Sequence, residues 1–336
     1  MRIPDIKYVI ASTTVLLLLT SCGTLNSFSS PGTGQNAKVS TIRKSTRSCP
    51  CLYAVYPNQA VTALAPDTSG NWVQIRQIAG SNTGLIRPRD LAEDAGGSLY
   101  VVNAHYQGAP SITVYAPGAS GNVTPIQKIK GPATGLDGPS GIAFDQNTNE
   151  VYVSNANNSI TIYSASADGN AAPIAVISGS ATGLSYPNGI TLDTAGNIYV
   201  TNTNSITVYA AGSTGNVAPT RTIAGSRTKL AGPRELAVDS SGNIYVGKVR
   251  NNPTYILVFG AGSNGNVAPI RKIHGHLTNL RHPEAVALDS SDNVYVGGKG
   301  EPINIYAAGS NGNVAPIDTA PISLSHLDPC IRILPL

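Results

Sequence analysis

Six basic residues between positions 221 and 281 are predicted to lie in loops on one face of the protein: Arg227, Lys229, Arg234, Lys248, Arg250 and Arg281. His274, His276 and His282 join them near the end of this stretch. Arginine forms paired hydrogen bonds with carboxylate, phosphate and sulfate oxygens. We therefore expect an anionic ligand here, such as an acidic glycan or an acidic protein surface. A solvated basic rim without a ligand is the alternative.

Carboxylate and amide side chains occupy a second set of recurring positions. Asp90 and Glu235 are the third residues of strands that begin with proline, and Asn103, Asn155 and Asn202 end the strands that follow such strands. Oxygen ligands of these kinds bind Ca²⁺ when they converge. Ca²⁺ at a central axis is therefore one interpretation, and internal ion pairs are the other. No other cofactor is predicted.

Signals for catalysis are weak. The sequence has no Gly-x-Ser-x-Gly motif, which marks one common type of nucleophilic serine. His274 and His276 are two histidines of one loop, which is few for a zinc site. The Asp-x-x-Gly-Asn pattern, as at Asp239–Asn243, recurs along the chain and is interpreted as a hairpin turn. These residues predict a protein that is not an enzyme.

An internal repeat determines which elements position these residues. A Gly-Asn pair recurs at Gly70, Gly121, Gly169, Gly215, Gly265 and Gly312, at intervals of 46 to 51 residues. A proline recurs with nearly the same period at Pro88, Pro139, Pro187, Pro233 and Pro283. Repeats of this length indicate a propeller or a solenoid.

The content of one repeat favours the propeller. Residues 187–193, Ile198–Val200, Ser205–Tyr209 and Val217–Ile223 are predicted to be four strands, separated by turns rich in Gly and Asn. The second strand is apolar on both faces, as expected for a strand between two neighbouring sheets. The fourth is more polar, and Pro219 and Arg221 are expected to protect its outer edge.

The six Gly-Asn markers predict six blades in one all-β domain, residues 49–336. The first repeat is incomplete, with strands expected at Leu52–Val55, Ala60–Leu64 and Val73–Ile78. Its innermost strand is predicted within Cys330–Leu334. The fold class is therefore a six-bladed β-propeller of four-stranded antiparallel blades, closed by the N- and C-terminal segments.

Residues 187–193 followed by Gly196-Asn197-Ile198-Tyr199-Val200, and residues 139–153, resemble the NHL repeat of the TolB-like propeller superfamily. The resemblance covers residues 52–334. NHL-like propellers include binding modules, lyases and lactonase-like enzymes, so it implies the fold more strongly than an activity. Our main prediction is a non-enzymatic binding or scaffold module. The alternative is a metal-dependent hydrolase or lyase, lactonase-like or streptogramin-lyase-like, with its site at the axis, where Glu235, Asn155 and Asn202 are the nearest candidate ligands.

The N-terminus is interpreted as a targeting segment. Arg2 and Lys7 precede an apolar run too short to span a bilayer, which is typical of a signal peptide over residues 1–21. Leu19-Thr20-Ser21-Cys22 resembles the bacterial lipobox, which implies lipidation of Cys22. Residues 22–48 read as a flexible tether. We expect a lipid-anchored protein of the bacterial cell envelope, at the outer membrane or cell surface in a Gram-negative organism.

Composition sets two further limits. Only 12% of residues are charged, whereas 41% are hydrophobic, which is enough apolar material to form a core. The charges of the part beyond residue 51 nearly cancel, so nucleic-acid binding is not expected. One disulfide among Cys49, Cys51 and Cys330 is possible. The predicted register, however, puts Cys51 and Cys330 near opposite ends of one sheet.

Overall fold

The protein is a six-bladed β-propeller, as predicted. The computed structural model describes residues 51–56, 59–104, 109–248, 254–298, 301–321 and 330–334, so the predicted signal segment, Cys22 and the tether lie outside the described residues. Within those ranges, every sheet has four antiparallel strands, and the helices are two single 3₁₀ turns, Pro132–Thr134 and His276–Thr278. No helix there is both long and apolar enough to cross a membrane.

The blades are named here from the axis outward, with strands numbered in chain order. Blade 1 is β24 (Cys330–Leu334), β1 (Cys51–Tyr56), β2 (Ala60–Pro66) and β3 (Trp72–Ala79). Blade 2 is β4 (Pro88–Glu93), β5 (Leu99–Asn103), β6 (Ser111–Tyr115) and β7 (Gln127–Ile129). Blade 3 is β8 (Pro139–Asp145), β9 (Glu150–Asn155), β10 (Ser159–Ser164) and β11 (Ala175–Ser178).

The second half of the ring repeats this order. Blade 4 is β12 (Ile190–Leu192), β13 (Ile198–Thr201), β14 (Ser205–Tyr209) and β15 (Arg221–Ala224). Blade 5 is β16 (Pro233–Val238), β17 (Ile244–Lys248), β18 (Tyr255–Phe259) and β19 (Arg271–Ile273). Blade 6 is β20 (Pro283–Leu288), β21 (Val294–Gly298), β22 (Ile303–Tyr306) and β23 (Asp318–Ala320).

The ring closes through the C-terminal strand, as predicted. β24 pairs antiparallel with β1, so that Cys330 lies opposite Val55 and Cys51 lies opposite Leu334. The two cysteines are therefore at opposite ends of the pair, about 13 Å apart at 3.3 Å per residue. Because a disulfide needs Cα atoms within about 7 Å, this register does not accommodate a Cys51–Cys330 bridge. Cys49 lies outside the described residues.

The two faces of the propeller have different connections. Hairpin turns between first and second strands lie on one face, called the turn face. In blades 4, 5 and 6 they begin with Asp193, Asp239 and Asp289, and in blade 1 Asp67 begins the turn between the third and fourth strands on the same face. Each of these aspartates accepts the backbone N–H groups two and four residues later. This confirms the interpretation of the Asp-x-x-Gly-Asn pattern as a turn. The opposite face, called the loop face, carries the links between blades and between second and third strands.

The hydrophobic core is divided among the interfaces between blades. Six clusters of buried apolar residues each join the facing sides of two neighbouring blades. Both faces of the second strands are thereby covered, as at Val200 and Tyr199, which are 0% and 3% exposed and belong to different clusters. Burial of each such side chain contributes about 1.5–3 kcal/mol. The ring is therefore held by contacts between blades rather than by any single core.

The Gly-Asn pair joins adjacent blades. At five interfaces, its glycine forms a parallel bridge with the outer strand of the preceding blade, as at Gly215 and Ile177. The asparagine side chain then accepts a backbone N–H of the preceding link, as Asn216 does from Ala181 at 2.7 Å. The outer edge is therefore covered by the next repeat, whereas the sequence suggested protection by Pro219 and Arg221.

The junction of blades 6 and 1 is built differently. Gly70 and Asn71 belong to the turn Asp67–Asn71 between β2 and β3, so this first marker does not form the bridge seen in later blades. In its place, Trp72 Nε1 donates to Asp318 Oδ2 at 2.8 Å. The Trp72 ring also packs edge-on against Tyr295, with 6.3 Å between centroids. The only tryptophan of the chain thus lies where the ring closes.

Candidate functional site

The inner strands converge at the loop-face end of the axis. They follow one another around the ring in the order β24, β4, β8, β12, β16, β20 and back to β24. Five of these strands, or the short segment that leads into the strand, begin with proline. The two residues after each proline surround the axis. We call this region, residues 88–90, 139–141, 187–189, 233–235 and 283–285, the axial mouth. By register Cys330 holds the corresponding place on β24.

Asp90 links blades 2 and 3. It is fully buried, and its Oδ1 accepts the N–H of Leu91 at 2.7 Å while Oδ2 accepts the N–H of Ile142 at 2.9 Å. Both carboxylate oxygens are thus occupied by backbone donors. The residue that the sequence suggested as a Ca²⁺ ligand therefore binds the neighbouring strand.

Two buried hydroxyl groups, which the sequence did not single out, make the next two links. Ser154 Oγ accepts the N–H of Gly141 at 2.9 Å and donates to the carbonyl of Asn188 at 2.5 Å. One blade further, Thr201 Oγ1 accepts from Gly189 at 2.9 Å and donates to the carbonyl of Arg234 at 2.5 Å. Each hydroxyl thus satisfies one backbone group of its own blade and one of the next. A Ser or Thr at the same strand position in consecutive repeats was the available signal.

Close packing explains the glycines of the axial mouth. A Cβ on Gly141 would lie 2.5 Å from the carbonyl oxygen of Asn188, and one on Gly189 would lie 2.7 Å from that of Arg234. The Gly189 Cβ position is also 3.1 Å from Glu235 Oε2. The Glu235 carboxylate therefore extends from blade 5 over the backbone of blade 4.

Charged residues of both signs belong to the axial mouth. Glu235 and Glu284 are 5% and 8% exposed, and Arg89 and Arg234 are half-buried. Such carboxylates in proteins are normally paired. The expected oxygen-rich axis is thus also rich in guanidinium groups. A mixed site of this kind can position an ester carbonyl and accept a proton from water.

The three asparagines have structural roles in the loop face. Asn103, Asn155 and Asn202 are at most 1% exposed. Their Oδ1 atoms accept the backbone N–H groups of Ile86, Asp137 and Ser185 at 3.0, 3.1 and 3.0 Å. Their Nδ2 atoms donate to a strand carbonyl and to a threonine hydroxyl. The amides therefore close the links between blades instead of pointing oxygens into the axis.

Glu301 takes this role in blade 6. Its Oε1 accepts from the N–H of His282 at 3.0 Å and its Oε2 from that of Arg281 at 3.3 Å. Glu301 is 7% exposed, and His282 Nδ1 lies 3.7 Å from Oε1. Gly298 occupies the position of the asparagine in the earlier repeats and has no side chain to accept these bonds. Glu301, three residues later, supplies the acceptor instead.

The predicted basic residues fall into three groups. Arg227, Lys229 and Arg281 are exposed on the loop face. Arg234 belongs to the axial mouth. Lys248 is the last residue of β17, but its side chain and the whole of Arg250 lie outside the described residues.

The histidines do not form a common site. His274 packs edge-on against the Tyr255 ring, with 5.5 Å between centroids. His276 Nδ1 lies 3.3 Å from Asn313 Nδ2, and His282 lies beside Glu301. Each ring thus has a different neighbour, which argues against the two-histidine metal loop considered from the sequence.

A closed six-bladed propeller with a polar axial mouth is an architecture used by both binding modules and enzymes. The family model described as "SMP-30/Gluconolactonase/LRE-like region" matches residues 40–217, and the chain belongs to that family. Among curated proteins, no sequence matches this chain.

Solved structures confirm the fold. A chain of the nidogen/laminin complex matches with a TM-score of 0.58 at 17% identity, over 84% of this chain and 98% of the other. A protein from Lactobacillus plantarum matches with a TM-score of 0.57 at 17% identity, over 80% and 81%. A putative 6-phosphogluconolactonase from Bacteroides uniformis matches with a TM-score of 0.56 at 15% identity, over 83% and 82%. At these identities the likeness concerns the fold alone.

The prediction that the protein is not an enzyme is wrong. The family to which the chain belongs points to lactonase-type activity, and the hydrolase alternative fits it better than the non-enzymatic scaffold does. The sequence misled because hydrolysis at a propeller axis requires no nucleophile motif. Its polar groups come from separate blades and leave no short signature.

Lactonases of this family commonly use a divalent metal ion, so the residues of this chain were tested against one. In the described parts of the chain, no three His, Cys, Asp or Glu side chains are grouped so that they could hold a metal. The oxygens of Asp90, Asn155 and Asn202 are taken by backbone N–H groups. The described donors therefore do not fit a metal centre.

Proposed function

We propose that this protein hydrolyses lactones and that the axial mouth is its active site. The family match over residues 40–217 carries the proposal, because its description names gluconolactonases. The axial mouth adds a place for the reaction, since it brings carboxylates and guanidinium groups together at the end of a closed ring. Loops from different blades surround it on the loop face.

The reaction requires three kinds of group. Water adds to the lactone carbonyl, the ring C–O bond breaks, and the product is an open hydroxy acid. A carboxylate takes the proton of the attacking water, and a positive group stabilises the negative charge that develops on the carbonyl oxygen. The proton is then returned to the departing ring oxygen.

We assign the base to Glu235 or Glu284 and the positive group to Arg89 or Arg234. Asp90 is not assigned as a base, because both of its oxygens accept backbone N–H groups. Glu235 is the preferred base since its Oε2 extends over the backbone of Gly189 in the neighbouring blade, at the axial mouth. Arg89 and Arg234 belong to the same mouth, in blades 2 and 5.

The test is acid release from a panel of lactones, followed in a pH-stat with purified protein. Glu235→Gln should lower kcat by at least about 100-fold if Glu235 is the base, with the melting temperature changed little. Glu284→Gln tests the second candidate, and Glu150→Gln on the turn face is the matched control that should keep full activity. Failure to hydrolyse any lactone, or full activity in both mouth variants, would refute the assignment.

We also propose that Cys22 is lipidated and anchors the protein to the bacterial cell envelope. Support comes from the lipobox-like sequence Leu19-Thr20-Ser21-Cys22. Labelling with radioactive palmitate should mark the wild type but not Cys22→Ser. Equal labelling would contradict the proposal.

A further inference from the structure

The links that lead into the inner strands have one shape in five repeats. In each, a threonine hydroxyl donates to the glycine carbonyl three residues earlier at 2.7 or 2.8 Å. The residue after this threonine has a positive φ. It is glycine in the first three links, at Gly84, Gly135 and Gly183, with φ of 68°, 69° and 69°.

Lys229 occupies this glycine position in the link to blade 5. Its φ is 61°, in the left-handed region that is unfavourable for a residue with a Cβ. The link has the same hydrogen bonds as its glycine counterparts, so the loop and not the lysine determines this conformation. The first three links have glycine at this position, which adopts the conformation without strain. A lysine that is held there despite the strain indicates a function for its charge.

The same part of the loop face exposes further positive charges. Arg227 lies two residues before Lys229 and is exposed, with its N–H held by Asn266 Oδ1 at 2.8 Å. Arg281 is exposed on the next link, which leads into β20, the neighbour of β16. We call Arg227, Lys229 and Arg281 the basic rim.

The described carboxylates on the loop face near the basic rim are buried. In the described part of blades 5 and 6, the loop-face carboxylates are Glu235, Glu284 and Glu301, and each is at most 8% exposed. The other acidic side chains described in these blades lie at the turn face, at Asp239, Asp289, Asp292 and Asp318. A ligand that approaches this side of the axial mouth therefore meets exposed positive charge, which attracts anions.

We propose that the basic rim binds an anionic group of the substrate, a phosphate or a carboxylate, while the lactone ring enters the axial mouth. The proposal rests on the lactonase function and specifies its substrate class. The link that carries Arg227 and Lys229 runs directly into Pro233, Arg234 and Glu235 of the axial mouth. The proposed substrate therefore contacts the basic rim and the axial mouth at the two ends of one link.

The most specific test variant gives this link the sequence of the corresponding link in the preceding repeat. Arg227→Ala with Lys229→Gly changes Ser-Arg-Thr-Lys-Leu at 226–230 into Ser-Ala-Thr-Gly-Leu, which already occurs at 180–184. The loop is thus expected to fold, and removal of the strained lysine should raise the melting temperature. Asn279→Gly is the matched control, because Asn279 has the same left-handed conformation, with φ of 58°, and no charge.

Binding is measured by calorimetry with gluconate 6-phosphate, glucarate and gluconate, the open-chain acids that carry an added phosphate, an added carboxylate or neither. The double variant should weaken binding of the phosphate or the dicarboxylate about tenfold at low salt, from two exposed charges. The loss should shrink at 0.5 M NaCl, and Asn279→Gly should bind like the wild type. The arm with the larger loss identifies the anionic group.

Activity separates this proposal from the lactonase function. The wild type should hydrolyse the lactone that carries the favoured anion with a higher kcat/KM than glucono-1,5-lactone, and the double variant should lose that preference. Equal kcat/KM for both lactones, or unchanged binding in the double variant, overturns the substrate class while leaving the hydrolase in place. Charge-dependent binding without any hydrolysis overturns the lactonase function instead.

Discussion

Replacement of Thr201 by valine tests whether the buried hydroxyls hold the axial mouth. Thr201 is fully buried, and its Oγ1 satisfies the N–H of Gly189 at 2.9 Å and the carbonyl of Arg234 at 2.5 Å. Valine has nearly the same shape but neither donates nor accepts. The variant therefore leaves one donor and one acceptor unpaired at the interface of blades 4 and 5.

The expected cost follows from these two groups. Each buried backbone group left unpaired costs about 1–3 kcal/mol. The added methyl of valine returns about 0.8 kcal/mol at most. The net loss is thus about 1–5 kcal/mol, which for a propeller of this size lowers the melting temperature by about 2–9 °C. The lost hydrogen bond holds the backbone carbonyl of Arg234, one of the two proposed positive groups. We therefore expect kcat/KM to fall as well, by about tenfold or more.

Thermal unfolding followed by circular dichroism, with lactone hydrolysis on the same samples, provides the test. Thr222→Val is the control, since Thr222 is a half-exposed residue on the outer strand of the same blade and its replacement should change stability by less than about 0.5 kcal/mol. Ser154→Ala should behave like Thr201→Val at the preceding interface. A melting temperature for Thr201→Val within 1 °C of the wild type would refute the reasoning.

Three further outcomes are expected. Phe259→Tyr should add about 0.5–1.5 kcal/mol of stability in chemical denaturation. Blades 2, 3, 4 and 6 have tyrosine at this position, and its hydroxyl donates to the carbonyl of the threonine that corresponds to Thr228. A loss of stability would show that the extra hydroxyl does not fit. Trp72→Phe removes the bond to Asp318 and should lower stability by about 1 kcal/mol or more, with limited proteolysis revealing earlier opening of the junction of blades 6 and 1; unchanged proteolysis would contradict this. Burial raises the pKa of Glu93 from 4.5 to about 7, so its stabilising contribution is complete below about pH 4.5 and is lost as pH rises through 7. Glu93→Gln should therefore melt above the wild type at pH 8 but not at pH 4, and an equal difference at both pH values would count against the shift.

The propeller was predictable because its information is local and repeated. Ile198–Val200 is apolar on both faces in the sequence, and only a strand between two sheets buries both. The incomplete first repeat likewise indicated that the C-terminal strand closes the ring. The first inference depends on residues close in sequence and the second on a comparison between repeats, and the structure confirms both.

The role of the Gly-Asn pair was not accessible in the same way. It marked the period correctly, but its glycine and asparagine contact the preceding blade, about one repeat earlier in the sequence. In blade 1 the same two letters form a hairpin turn, because the loop between β2 and β3 is short. An identical dipeptide thus has two structures, and only its neighbours in space distinguish them.

The sequence by itself determined the repeat, the number of blades and the charge of the basic rim, because periodicity and residue type survive without coordinates. Only the tertiary structure decided what each polar group near the axis does. Asp90 and Asn202 looked like ligands, yet their oxygens are taken by backbone N–H groups of other segments. Thr201 looked like an ordinary strand residue and proved to link two blades. A buried polar group is defined by the partner that satisfies it, and here that partner lies up to 52 residues away.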